Sequence, residues 1–257
     1  MSWKEIWIAF KAIFIKEVLR FSRIWIQTIL PPAITMSLYF IIFGNLIGRA
    51  IGEMDGFQYI DYIVPGLIMM SVITNSYSNV VSSFFSAKMH GNVQELLISP
   101  TPNMIILLGF VAGGIARGLG VGAVVTLVAL FFTDLNIQNP IITLLVVVLT
   151  SFLFSIAGFI NAIYAKSFDA VNIVPVFILT PLTYLGGVFY SINMLPPFWR
   201  DVSLFNPVLY MVNGFRYGIL GVSDITPTAT FTLLFVFIAL LFSVAIFLLS
   251  KGIGLRD

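Results

Sequence analysis

Long apolar runs, not an alternation of apolar and polar positions, set the pattern of this chain. A helix needs about 20 mostly apolar residues to cross the hydrocarbon core of a bilayer. Six segments reach that length: 24–46, 62–87, 104–132, 140–165, 171–191 and 231–250. The last of them carries no charge, and the third carries one, Arg117, near its middle. The pattern therefore predicts an all-α integral membrane protein with six transmembrane helices.

Before the first run the period changes. In residues 1–23, Trp3, Ile6, Trp7, Phe10, Phe14 and Phe21 gather on one side at about 100° per residue, while Lys4, Lys11, Lys16 and Arg20 lie elsewhere. That spacing suits an amphipathic helix in the headgroup region, an elbow leading into the first span. A cytoplasmic helix packed on the other spans is the alternative.

Two spans break the apolar rule. In the second, Ser71, Asn75, Ser78 and Ser82 fall on one face, and Ile73, Tyr77, Val80 and Phe84 fall on the opposite one, toward lipid or apolar neighbours. Polar side chains in hydrocarbon need partners. The stripe thus either joins helices or lines a substrate path. In the third span, Gly114, Gly118 and Gly122 repeat at four-residue intervals, which permits close helix approach. Arg117 beside them is costly in mid-bilayer without partners and should face inward. It either anchors an anionic headgroup or bonds Asn75 or a backbone carbonyl.

The connections carry two more features. Between spans two and three, Gly91 opens and Pro100 and Pro102 close a short amphipathic helix over 92–99. Its residues Asn92, Val93, Gln94, Glu95, Leu96, Leu97, Ile98 and Ser99 have a shape suited to a partner's groove. After span five, 195–221 is too apolar for a solvent loop and too interrupted to cross as one helix. Leu195, Pro196, Pro197, Phe198 and Trp199 read as a proline-started short helix. Asn206 and Pro207 read as a cap followed by a proline in the first helical position. The run from Pro207 to Gly221 covers about 20 Å, short of the roughly 30 Å core. Both pieces are expected to re-enter from the outer face as a lid, with Arg200 and Arg216 near the headgroups.

Composition agrees with lipid as the main solvent. Of 257 residues, 59% are hydrophobic and 9% charged, and mean hydropathy is +1.04. A net charge of +2 argues against a nucleic-acid partner, and the lack of cysteine excludes disulfides and thiolate chemistry. Lys11, Lys16, Glu17, Arg20 and Arg23 interrupt the region where a cleavable signal would need an uncharged core. With the N-terminus in the cytoplasm, Lys4, Lys11, Lys16, Arg20, Arg23, Lys88, Lys166, Lys251 and Arg256 lie inside, against Arg49, Arg200 and Arg216 outside. This bias favours both termini in the cytoplasm. No linker or repeat divides 1–257, so one domain is expected.

Three stretches, "VPGLIMMS", "VQELLISPTP" and "LTYLGGVFYSINMLPPFW...FNPVLYMVNGFRYG", resemble the permease subunits of ABC-2 type exporters, in particular a YadH-like branch of bacterial inner-membrane permeases. The resemblance covers essentially the whole chain, and its C-terminal motif is the specific part. It implies a homodimer of six-span subunits on two cytoplasmic ATP-binding cassette subunits, which bind ATP and magnesium. Coupling would run through the elbow and through 92–99, with Glu95 as the charged element. The path would be lined by span two and by span five with Pro175, Pro181, Gly186 and Gly187. Amphiphilic drugs, lipids or glycans would be the cargo. The loop over 48–61 is short, which sets aside relatives with large external domains.

Enzyme readings fare poorly against the same residues. None of the six lysines (4, 11, 16, 88, 166 and 251) follows a glycine, so no P-loop is encoded and no cofactor site is expected in this chain. The sole histidine, His90, lies at the cytoplasmic edge, away from any bundle interior where a Ser–His pair would work. Carboxylates lie in the connections, unlike those of an ion-coupled secondary transporter. A passive pore or an assembly scaffold remains the alternative function.

Overall fold

The computed structural model describes residues 1–255 and is helical almost throughout. Arg256, part of the charge balance above, lies outside the described residues. Helix α1 (Trp3–Arg23) starts from a capping box: Ser2 N donates to Glu5 Oε2 at 2.8 Å and Glu5 N to Ser2 Oγ at 3.4 Å. Arg20 and Arg23 in its last turn suit the negative end of the helix dipole.

Helix α2 (Trp25–Ile51) is broken in its second turn, because Pro31 and Pro32 lack the amide hydrogens that would continue the ladder. Its outer half widens to π geometry over Phe40–Ile47. A two-residue hairpin follows, β1 (Glu53–Met54) paired antiparallel with β2 (Phe57–Gln58). Asp55 and Gly56 turn it at φ 50° and 81°, the left-handed pair that such tight hairpins require. Asp-Gly is a strong hairpin signal even within a connection this short.

Helix α3 (Tyr59–Met89) is the axis of the molecule, 31 residues or about 46 Å long. Helix α4 (Asn92–Ile98) follows after Gly91, whose φ of 77° turns the chain sharply. Helices α5 (Asn103–Ala129) and α6 (Pro140–Tyr164) then pack along α3. Phe84, Phe110 and Phe159 join the three toward the end that carries α4, with ring centroids 4.1 Å apart for Phe84 and Phe159. The closest approach to another helix's backbone is at Gly158, where a Cβ would lie 2.5 Å from the carbonyl oxygen of Tyr77.

Helix α7 (Phe168–Tyr184) ends earlier than the apolar run to residue 191 predicts, because the chain turns at Leu185 and Gly187 has φ 68°. Helix α8 (Pro197–Leu204) starts at the second proline and runs beyond Trp199; Leu195 and Pro196 precede it. Helix α9 (Pro207–Leu220) is capped by Asn206, whose Oδ1 accepts from Val208 N at 3.0 Å, and it stops at Gly221 with φ 75°. Two of its terminal carbonyls accept from the α5–α6 connection, Gln138 N to Ile219 O at 3.1 Å and Asn139 N to Gly218 O at 2.8 Å. Helix α10 (Pro227–Lys251) closes the fold.

Among the described residues, α2, α5, α6 and α10 are long and apolar enough to cross a membrane. Helix α3 has the length but carries many polar side chains, and α7, at 17 residues, is apolar but short. Large apolar side chains face outward along the bundle, among them Phe131, Ile141, Leu144, Phe177 and Phe235.

Candidate functional site

The polar face of α3 is where sequence and structure meet. Ser71 and Asn75 are buried, Ser78 is half-buried and Ser82 is exposed, and Thr74 on the same side is exposed as well. The stripe thus runs along the edge of the packed bundle and emerges toward the end of α3 that leads into α4. The opposite face, with Ile73, Tyr77, Val80 and Phe84, is buried against neighbouring helices and does not meet lipid. Arg117 Nη2 donates to Asn75 Oδ1 at 3.1 Å, while Asn75 Nδ2 donates to Ser71 O at 3.0 Å. One of the two partners considered for Arg117 is therefore present.

Beside it lies a polar cluster missed at the sequence level. Glu17 on α1 has no exposed side-chain surface. Its Oε1 accepts from Ser83 Oγ at 2.6 Å and lies 3.4 Å from Lys16 Nζ; its Oε2 accepts from Arg20 Nε at 3.4 Å. Arg20 Nη2 donates to the carbonyl oxygen and Oδ1 of Asn79, at 2.9 and 2.7 Å. Ile13 and Glu17 pack against Gly109 and Gly113 of α5, and a Cβ on Gly109 would lie 2.6 Å from Ile13. The elbow is thereby fixed to the bundle by one edge, while Trp3 and Trp7 remain exposed at 86% and 63%. The available signal was matched spacing: Ile13 and Glu17 repeat at the same four-residue interval as Gly109 and Gly113, and as Asn75, Asn79 and Ser83.

Helix α4 divides its faces cleanly. Val93 is buried and Leu96 and Leu97 pack on the core, whereas Asn92, Gln94 and Glu95 are exposed and Ile98 is 86% exposed; Ser99 is half-buried and caps the end. An acidic and an apolar side chain therefore face outward together at the end of α3.

On the other side of the molecule, Phe198, Trp199 and Arg200 on α8 are exposed, but Arg216 on α9 is not. It does not reach the surface, where the headgroups expected around it could meet it. Arg216 is fully buried, donates through Nε to Tyr62 O at 3.3 Å and through Nη2 to Gly187 O at 2.6 Å, and stacks 4.0 Å from the Tyr62 ring centroid. Carbonyls and an aromatic face replace water around Nε and Nη2, while Nη1 is buried without a hydrogen-bond partner. Asn206 Nδ2 adds a bond to Leu182 O at 2.7 Å, so α9 is tied to both α3 and the end of α7. Asp224 fastens the intervening segment, accepting from Ser191 Oγ at 2.6 Å, Ile192 N at 3.1 Å and Asn193 Nδ2 at 3.0 Å. Of the other family-derived path residues, Pro175 is half-buried and Pro181 exposed on α7, while Gly186 and Gly187 are buried beneath α9. Among the described residues no three His, Asp or Glu side chains converge as metal ligands would.

Comparison with known proteins agrees with this architecture. The family model described as ABC-2 type transporter matches residues 8–220. The inner membrane transport permease YadH of Escherichia coli (strain K12) is 55% identical over 251 residues, 98% of each chain. Nodulation protein J of Rhizobium meliloti (strain 1021) is 22% identical over 216 residues, 84% of this chain and 81% of the relative. A helical bundle with a lipid-facing exterior, matched along almost its whole length to a named permease, is a multi-pass transport protein of the bacterial inner membrane, and the chain belongs to the ABC-2 type transporter family.

Proposed function

We propose that this chain is the membrane half of an ATP-driven exporter, working as a pair of identical subunits on two ATP-binding cassette subunits. Six crossings leave both termini in the cytoplasm. ATP and magnesium are bound by the cassette subunits, and this chain supplies the path. The observation that carries the reading is the polar face of α3, open at Thr74 and Ser82 and half-open at Ser78, in a bundle whose outward surfaces are mostly apolar. The Thr74 and Ser82 hydroxyls donate to carbonyls of their own helix, and their remaining acceptor capacity favours a second copy or hydrated cargo over bare lipid.

Helix α4 is the docking element for the cassette subunit. Glu95 and Ile98 offer it one charge and one apolar anchor, while Val93, Leu96 and Leu97 transmit displacement to α3. An amphiphile moves along α3 and α7, past Arg117, Pro175 and Pro181, and leaves beneath the external pair α8–α9, which closes the mouth. Co-purification tests this directly. The chain extracted with its native partners should carry a cassette subunit in equal proportion and hydrolyse ATP. A lone chain indifferent to nucleotide would instead support the passive pore or scaffold.

A further inference from the structure

The junction of α1, α3 and α5 holds more donors than acceptors. Its charged side chains are Lys16, Glu17, Arg20 and Arg117, three cations to one carboxylate. Glu17 engages both oxygens, with Ser83, Lys16 and Arg20. Asn79 gives its Oδ1 and its carbonyl to Arg20, and Asn75 gives its Oδ1 to Arg117. The charged and amide acceptors are thus in use, and what is left is neutral hydroxyl such as Ser76 Oγ, buried without a partner. Two donors, Asn79 Nδ2 and Arg117 Nε, are buried without a partner. Among the described residues, the ion pairs are Lys16–Glu17 and Arg20–Glu17, so Arg117 has no counter-ion.

A buried amide donor and a half-buried cation within a membrane-spanning bundle call for a partner that brings acceptor oxygens and negative charge. Asn75 and Asn79 are one turn apart, about 6 Å along α3, which places the two guanidinium groups at successive levels of the same face. A multi-oxygen anion can accept from both, as arginine pairs do with phosphate. Arg20 is partly open, with 28% of its side chain exposed. Ser82, fully on the open face, bonds the same Asn79 carbonyl at 3.2 Å. We infer that Arg20 and Arg117 form an anion site for the phosphate headgroup of an amphiphile that enters α3's polar face from the inner leaflet. The inference rests on reading that face as the path wall.

The chain contains no cysteine, so Ser82→Cys provides a single reporter thiol. In phosphatidylcholine vesicles, an anionic methanethiosulfonate reagent should label it about tenfold faster than a cationic one, relative to a free thiol. Arg117→Gln and Arg20→Gln should each cut that preference about threefold, and Arg49→Gln on the external side should leave it unchanged. Adding phosphatidylglycerol to the vesicles, or inorganic phosphate to the buffer, should slow the anionic reagent without changing the cationic one. These two arms need no arginine variant and hold even if those variants fold poorly. Protection by phosphatidylglycerol assigns the site to a headgroup delivered through the bilayer, and protection by inorganic phosphate alone assigns it to a water-borne group. Labelling at equal rates, no labelling, or no protection by either anion overturns the site. No cassette subunit is present, so a failure of ATP coupling would not alter the result.

Discussion

At the scale of single residues, the bundle is held by contacts that tolerate no extra atom and by one arginine that replaces water with protein. Gly158 is the sharpest case. A Cβ there meets backbone, the Tyr77 carbonyl at 2.5 Å, and backbone cannot rotate away as a side chain tip does. Gly158→Val should therefore force α6 off α3 and destabilise the bundle by about 1–3 kcal/mol, the usual range for overpacking. A thermal melt in detergent checks it; a transition unchanged from the parent would mean that α6 does not approach α3 this closely. Arg216 is the second case. Arg216→Met removes two charge-assisted bonds and leaves the Tyr62 and Gly187 carbonyls to other partners, costing about 2–3 kcal/mol. The loss should appear as faster proteolysis between α7 and α9 before global unfolding. Neither geometry follows from sequence in the same degree. The glycines announce close approach, but "NGFRYG" gives only the level of Arg216 along the chain, and charge counting assigns it to the surface by default. Which way a side chain turns depends on the cavity that neighbours leave, here one walled by Tyr62.

At the scale of elements, helix identity was legible where apolar runs are unbroken, and boundaries were lost where the run continues past the hydrogen-bonded ladder. Residues 185–191 are as apolar as the helix before them, yet the chain bends at Gly187 to bring α9 back against the end of α7. Hydropathy measures solvent preference and is blind to that turn. The elbow shows the converse. Its aromatic side was evident at helical spacing, but the packed edge, Ile13 and Glu17, is only two residues per face and includes a carboxylate that a hydropathy reading places in water. For α4 the amphipathic pattern was enough, because Val93, Leu96 and Leu97 anchor it to α3 and leave Glu95 outward. Glu95→Arg reverses an exposed charge without touching those anchors. It should lower ATPase activity of the assembled complex several-fold while membrane levels of the chain stay normal. Full activity in a normally assembled complex would move the docking surface away from α4.

At the scale of the whole molecule, the number of crossings turns on α7. Its 17 residues span about 26 Å, a few ångströms short of the roughly 30 Å core, whereas α2, α5, α6 and α10 exceed it. A short span is accommodated by local thinning or by flanking structure. Here the flanking structure is α9 and its cap, joined to the end of α7 through Asn206 and Arg216, so that protein covers residues 186–188 while Tyr184 and Leu185 stay exposed. If α7 crosses, the Glu53–Gln58 hairpin and α8 share the outer side, and α4 lies inside. If it does not, α8 lies on the same side as α4, and the external lid and the six-span count fall together. Single cysteines in this cysteine-free chain separate the two. Glu53→Cys and Asp201→Cys, both exposed, should react with a membrane-impermeant maleimide in intact cells, and Gln94→Cys only after permeabilisation. Labelling of Asp201→Cys only after permeabilisation would place α8 in the cytoplasm. The wall formed by α3 would then have no external mouth beneath α8 and α9, and the bundle would have to release its cargo sideways into lipid.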